Sequence, residues 1–152
     1  MGWWSSDIMG GDTPLDFEGL IYELLGVEMF TEDPVNDDKI MLTKEQLEKG
    51  QQKCLYRILR HKFDVEIGLQ VLGYMMINVG AKMTEETKIN VLAGIDADDW
   101  KEKERIDKMK AFRTIVENYD GSAPIEITSE GLFEAISNHI QSGNEGLVNK
   151  NL

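Results

Sequence analysis

Between positions 67 and 81 the chain is apolar on nearly every side, and this run constrains the whole architecture. Ile67, Leu69, Val71, Leu72, Met75, Met76 and Val79 point in all directions around a helix, whereas a surface helix keeps a polar face. The run is 15 residues long and carries Gln70 and Asn78. A bilayer span needs roughly 20 apolar residues, so membrane insertion is not expected. The segment instead predicts the central helix of a bundle, ended by Gly80 and covered by its neighbours. Met75 and Met76 read as core filler.

The neighbours are legible from caps and breakers. Thr13 and Pro14 start a helix carrying Phe17, Leu20, Ile21, Leu24 and Leu25, and Gly26 stops it. Positions 31–39, with Pro34 and three aspartates, read as a solvated loop. Thr43 and Gln46 match a capping box that opens a helix bearing Leu47, Cys54, Leu55, Ile58 and Leu59. Asp64 is the expected cap of the central helix. Thr84 caps a short helix through Leu92 that Gly94 interrupts, and Asp98 or Asp99 starts a long charged one. That last helix places Ile106, Met109, Phe112, Val116 and Tyr119 on its core face, with lysines and glutamates facing solvent. Asp120-Gly121 turns the chain. Alternation over 124–128 predicts at most one short strand, and Ser129 caps a final helix with Leu132, Phe133, Ile136 and Ile140. The expected fold is all-α, an irregular bundle of about six helices. It forms a single helical domain over 1–142, followed by a flexible C-terminal tail, 143–152.

Charge narrows the classes of partner. The formal net charge is −12, divided as −9 over positions 1–50, +1 over 51–110 and −4 over 111–152. Such a surface repels a phosphate backbone, so direct nucleic-acid binding is not expected, and it attracts a basic protein. A single cysteine, Cys54, excludes an internal disulfide and suits a reducing compartment. The first residues lack the basic and apolar regions of a secretory signal. Both observations predict a cytoplasmic location.

No constellation names a reaction. The aspartate-rich stretches 33–38 and 96–99 lack the alternating ligands, central glycine and closing glutamate of a calcium loop, and 96–99 reads as a helix N-terminal anchor. Cys54 and His61 share a helix face but are separated by about 10 Å of rise, too far to meet. Cys54 reads as a small buried hydrophobe. Gly10-Gly11-Asp12-Thr13 precedes a helix and is the one candidate phosphate cradle, yet Asp7, Asp12 and Asp16 surround it and no base lies near. No catalytic residue, metal site or cofactor is assigned.

The adjacent indoles Trp3 and Trp4 predict an anchored chain start. One indole, followed by Ile8, plugs onto the bundle, and the other stays exposed among acids. Trp3, Trp4, Asp7, Asp12 and Asp16 are therefore the candidate partner-binding residues, tryptophan being enriched at interface hot spots. Met1-Gly2-Trp3-Trp4-Ser5, Ile8-Met9, Gly11-Asp12 and Leu15-Asp16 resemble the opening of the domain-of-unknown-function 4259 family. Gly2, Trp4, Asp12 and Asp16 fall in its register, whereas Ser5 replaces a glycine, Met9 an aromatic residue and Gly11 an asparagine. The resemblance covers about the first tenth of the chain. It implies a small bacterial or phage cytosolic protein, and it carries over neither an activity nor catalytic residues.

The leading expectation is a non-enzymatic, acidic protein-interaction domain. It would bind a basic partner in the manner of an immunity protein or a phage-encoded inhibitor, or mimic nucleic-acid charge. The rival class is a small enzyme or divalent-metal-binding domain, with Asp12 and Asp16 on successive turns of one helix. A subunit of a homo-oligomer is the third.

Overall fold

The computed structural model describes residues 3, 5–27, 37–125 and 127. Six helices run through them: α1 (Asp12–Leu25), α2 (Asp37–Gln46), α3 (Gln52–Leu59), α4 (Val65–Val79), α5 (Glu85–Asp96) and α6 (Lys103–Asn118). They form an irregular all-α bundle. The only β contact among the described residues is one antiparallel bridge between Trp3 and Gly11. No helix among them is long and apolar enough to cross a membrane.

The apolar run lies at the centre, as its periodicity requires. From Ile67 to Ile77 of α4 every residue but Tyr74 is buried. One side of α4 packs Val71, Leu72 and Met76 against Phe17, Ile21 and Leu25 of α1 and Leu55 and Leu59 of α3. Beyond its other side, Val91 and Ile95 of α5 meet Met109, Phe112 and Val116 of α6, joined by Ile77 and by Ile8. Each such side chain contributes about 1.5–3 kcal/mol by leaving water.

Several boundaries differ from the expected ones. α1 begins at Asp12 behind Gly11, and no side chain caps it. Pro14 therefore sits third in the helix rather than first, which is harmless because N–H groups there have no intrahelical acceptor. Thr43 is not a cap: it lies inside α2 and is 1% exposed. The break comes later, in the wide turn Leu47–Gln51, where Gly50 takes φ 87°. Only glycine enters that region cheaply, so Gly50 sets the boundary between α2 and α3. Gln52 braces the turn, donating to Leu47 O at 3.1 Å and Lys82 O at 2.7 Å while accepting from Thr84 N–H at 2.9 Å. Because Gln52, Leu55 and Leu59 form the inner face of α3, Cys54 is turned to solvent and is exposed, not buried.

Thr84 does cap α5, accepting from Thr87 N–H at 3.1 Å. α5 then continues through Gly94 to Asp96. Asp98 and Asp99 do not start α6, which begins at Lys103 behind Glu102. Their stretch is pulled into ion pairs instead: Asp96 binds Arg113, whose hydrogen bond holds its carboxyl below the usual range, and Asp98 binds Arg105. Asp64 occupies the cap position of α4 without a side-chain cap bond, in the left-handed region at φ 56°. The described residues of 124–128 form no strand. Ile125 N–H donates to Ile77 O and Ile127 N–H to Asn78 Oδ1, both at 3.0 Å, so the segment caps the end of α4. The predicted helix from Ser129 and the tail 143–152 lie outside the described residues.

Tyr119 closes the base of α6, donating its hydroxyl to Ala81 O at 2.7 Å. Burial, with Glu48 and Asp120 nearby, pushes its phenol up to about 12. A phenol raised in the folded state contributes stability that is intact below its unfolded pKa of about 10 and is lost as pH climbs through about 12. Tyr119→Phe is expected to cost about 1–2 kcal/mol at neutral pH, by stranding the Ala81 carbonyl. The variant should also lose less stability than the native chain across the alkaline window. Urea midpoints measured on both sides of pH 10 check this.

Candidate functional site

Residues 3–11 close into a loop ahead of α1. Ser5 N–H donates to Gly10 O at 3.2 Å and Gly10 N–H to Asp7 O at 3.1 Å. A Cβ on Gly10 would lie 2.2 Å from Ser5 Oγ, so the loop closes only on glycine.

α6 holds this loop with two buried cations three residues apart. Arg105, 0% exposed, uses all five of its N–H groups. Nη1 donates to the carbonyls of Ser6 at 3.3 Å and Asp7 at 2.9 Å. Nη2 donates to Gln70 Oε1 at 3.0 Å and Asp98 Oδ2 at 2.7 Å, and Nε reaches the same Oδ2 at 3.2 Å. Gln70 completes the set, donating from Nε2 to Asp98 Oδ2 and Gly94 O, each at 3.1 Å. Lys108 donates to Ser6 Oγ at 3.0 Å, Asp7 Oδ1 at 2.5 Å and Glu104 Oε1 at 3.0 Å. Burial works against its charge, but the hydrogen bonds it donates to Asp7 and Glu104 outweigh that and hold its pKa above the ordinary lysine value.

Two indoles finish the arrangement. Trp3 and Trp100 meet edge to face, with centroids 4.9 Å apart at 76°. The Arg105 guanidinium carbon lies 5.4 Å from the Trp3 ring and 4.9 Å from that of Trp100, within cation–π range. In front of the pair opens a cavity of about 120 Å³. Trp3, Trp100 and Ile67 line it together with Thr13 at the start of α1 and the carboxylates of Asp64, Glu66 and Asp99, and most of the lining surface is polar. Asp98 also lines it, but Arg105 neutralises that carboxylate. Among the described residues none of Asp64, Glu66 and Asp99 has an ion-pair partner. Nor do three carboxylate, histidine or cysteine side chains converge closely enough among them to hold a metal ion. The chemistry on offer is a mostly polar hollow beside two indoles, with three carboxylates in its lining that have no ion-pair partner among the described residues.

No family model, curated protein or solved structure matches the chain.

The predicted partner-binding residues separate into three groups. Trp3 is half-buried and forms a wall of the cavity, packed against the core as the plug requires. Asp7 turns inward to Lys108. Asp12 and Asp16 are exposed on the first turns of α1, flanking Thr13 in sequence. Trp4 lies outside the described residues. Trp100 and Glu66 carry no signal in the sequence, and neither do Arg105 and Lys108 beneath them; Asp99 reads there only as a helix start, and Gln70 only as a polar residue within the apolar run. For Gln70 a signal existed, since an amide inside an all-round apolar helix demands a buried partner.

Proposed function

We propose that the chain is a non-enzymatic interaction domain that binds a basic segment of a protein across the acid-rimmed cavity at Trp3 and Trp100. One lysine or arginine side chain enters the cavity, its stem against Ile67 and the indoles and its charge among Asp64, Glu66 and Asp99. Asp12, next to Thr13 of the lining, and Asp16 one turn further along α1 add exposed negative charge to the start of that helix. The carrying observation is that these three carboxylates have no ion-pair partner among the described residues while lining a hollow that two indoles also line. The overall charge of −12 favours encounter with such a partner. An immunity-type or phage-encoded inhibitor, or a mimic of nucleic-acid charge, is the biological form this surface suits. The likeness of residues 1–16 to the 4259 family supports a bacterial or phage origin, and the lone cysteine supports a cytoplasmic setting.

Tryptophan fluorescence on titration with a lysine- and arginine-rich synthetic peptide tests the assignment. The expected result is saturable binding that weakens with salt, since partly exposed charges are screened within about 10 Å at 0.1 M. Glu66→Gln combined with Asp99→Asn should weaken it about tenfold, equivalent to about 1.4 kcal/mol. Equal affinity for a neutral control peptide, or no loss in the double variant, overturns it.

A further inference from the structure

The acidic cavity has a basic neighbour. Positions 51–63 contain Lys53, Arg57, Arg60, Lys62 and His61 and no acid at all, in a chain whose acids outnumber its bases 28 to 16. Lys53, Arg57 and Arg60 recur at four and three residues, so they share one face of α3 and its end. All five basic side chains are exposed, and among the described residues none of them pairs with a carboxylate. The segment ends on Phe63, 97% exposed. The next residue is Asp64, on the rim of the cavity, and Glu66 follows.

From this juxtaposition we infer that the partner fitting the cavity is a second copy of the same chain, in a two-fold dimer. Each copy presents Arg60, Lys62 and Phe63 to the other's Glu66, Asp99 and indole-walled hollow. A two-fold interface requires a surface that complements itself, and adjoining basic and acidic patches supply one when the axis passes between them. Phe63 gains cover against the other copy's Trp3 and Trp100, the indoles in the cavity lining. A nucleic acid or an anionic membrane fits less well. Any polyanion engaging the bases of α3 would meet Asp64 and Glu66 beside Phe63, besides the repulsion of the whole chain. The inference rests on the proposed cavity function, whose partner it names.

Sedimentation velocity across protein concentration, at about 0.15 M salt where the Debye length is about 8 Å, tests it. The native chain should dimerise, and 1 M salt should disperse the dimer. Arg60→Glu with Lys62→Glu, and separately Glu66→Lys with Asp99→Lys, should each weaken self-association at least tenfold, because each sets like charges across both halves of the interface. Mixing the two variants restores opposite charges at every contact, so a heterodimer should form. That recovery also shows both variants to be folded. Phe63→Ser should weaken the dimer with no charge change. A native chain that stays monomeric at millimolar concentration overturns the inference. If that monomer still binds the basic peptide, the cavity function stands and only the self-partner falls; if it does not, both fall. A dimer that survives both charge reversals overturns it too, since the interface would then lie elsewhere.

Discussion

Arg105→Ala is expected to lower the unfolding free energy by about 3–5 kcal/mol, the usual cost of removing one partner from a buried ion pair. For a chain of this size that is a fall in Tm of roughly 6–20 °C. The loss is large because five acceptor contacts are stranded together. Asp98, with a side chain only 4% exposed, loses its counterion, and the Ser6 and Asp7 carbonyls lose the donor that pins the loop to α6. Arg105→Lys should recover little. An ammonium has three donors and no planar fork, so it cannot bridge the loop carbonyls on one side and Asp98 with Gln70 on the other. Neutralising Asp98 as well, in Arg105→Met with Asp98→Asn, removes the stranded charge. Urea unfolding of the four chains in that cycle should give a coupling of about 2 kcal/mol. A loss under about 1 kcal/mol for Arg105→Ala would mean that the loop is held by Trp3 and Ile8 packing, with the guanidinium incidental.

Arg105 also shows where hydropathy and geometry part. Hydropathy places Ile106, Met109, Phe112, Val116 and Tyr119 on the core stripe of α6. The true one runs Arg105, Met109, Phe112, Val116 and Tyr119, at regular four-and-three spacing, while Ile106 is 38% exposed. Hydropathy alone favours the isoleucine. Geometry favours the arginine, and its burial is tolerated because Asp98, Gln70 and two carbonyls arrive from other parts of the chain. No local pattern encodes those arrivals. The same holds for Lys108, whose partner Asp7 is 101 residues away.

What local chemistry determines was legible. Burial all round α4 followed from its composition, the ends of α1 and α4 from Gly26 and Gly80, and the start of α5 from Thr84. Thr43 misled because a capping box is a pattern of two side chains, whereas the actual break needed a positive φ that Gly50 alone supplies. Of the cavity lining, Trp3 is legible as an anchored indole, and Asp64, Asp98 and Asp99 only as helix-start residues. Trp100 and Glu66 meet there because α4 and the turn after α5 converge on the loop, a consequence of tertiary packing.

That packing depends on two glycines at the crossing of α4 and α5, and alanine at either should destabilise by about 1–3 kcal/mol although it favours the helix by about 1. A Cβ at Gly73 would lie 2.5 Å from Val91 Cγ1 and 3.4 Å from its Cγ2. A Cβ at Gly94 would lie 2.7 Å from Leu69 Cβ and 3.0 Å from the Glu66 carbonyl oxygen. The two clashes differ in kind. Val91→Ala deletes the methyl groups that Gly73→Ala would strike, so the double variant should be more stable than the sum of the singles by about 1 kcal/mol or more. Leu69→Ala keeps the Cβ and the backbone that Gly94→Ala would strike, so that pair should show almost no relief. Urea unfolding of the two cycles separates local repacking from movement of whole helices. Equal relief in both would mean that α5 shifts bodily away from α4. It would then carry the Asp98 carboxylate off Arg105, and Arg105→Ala made in the Gly94→Ala background should cost much less than it does alone.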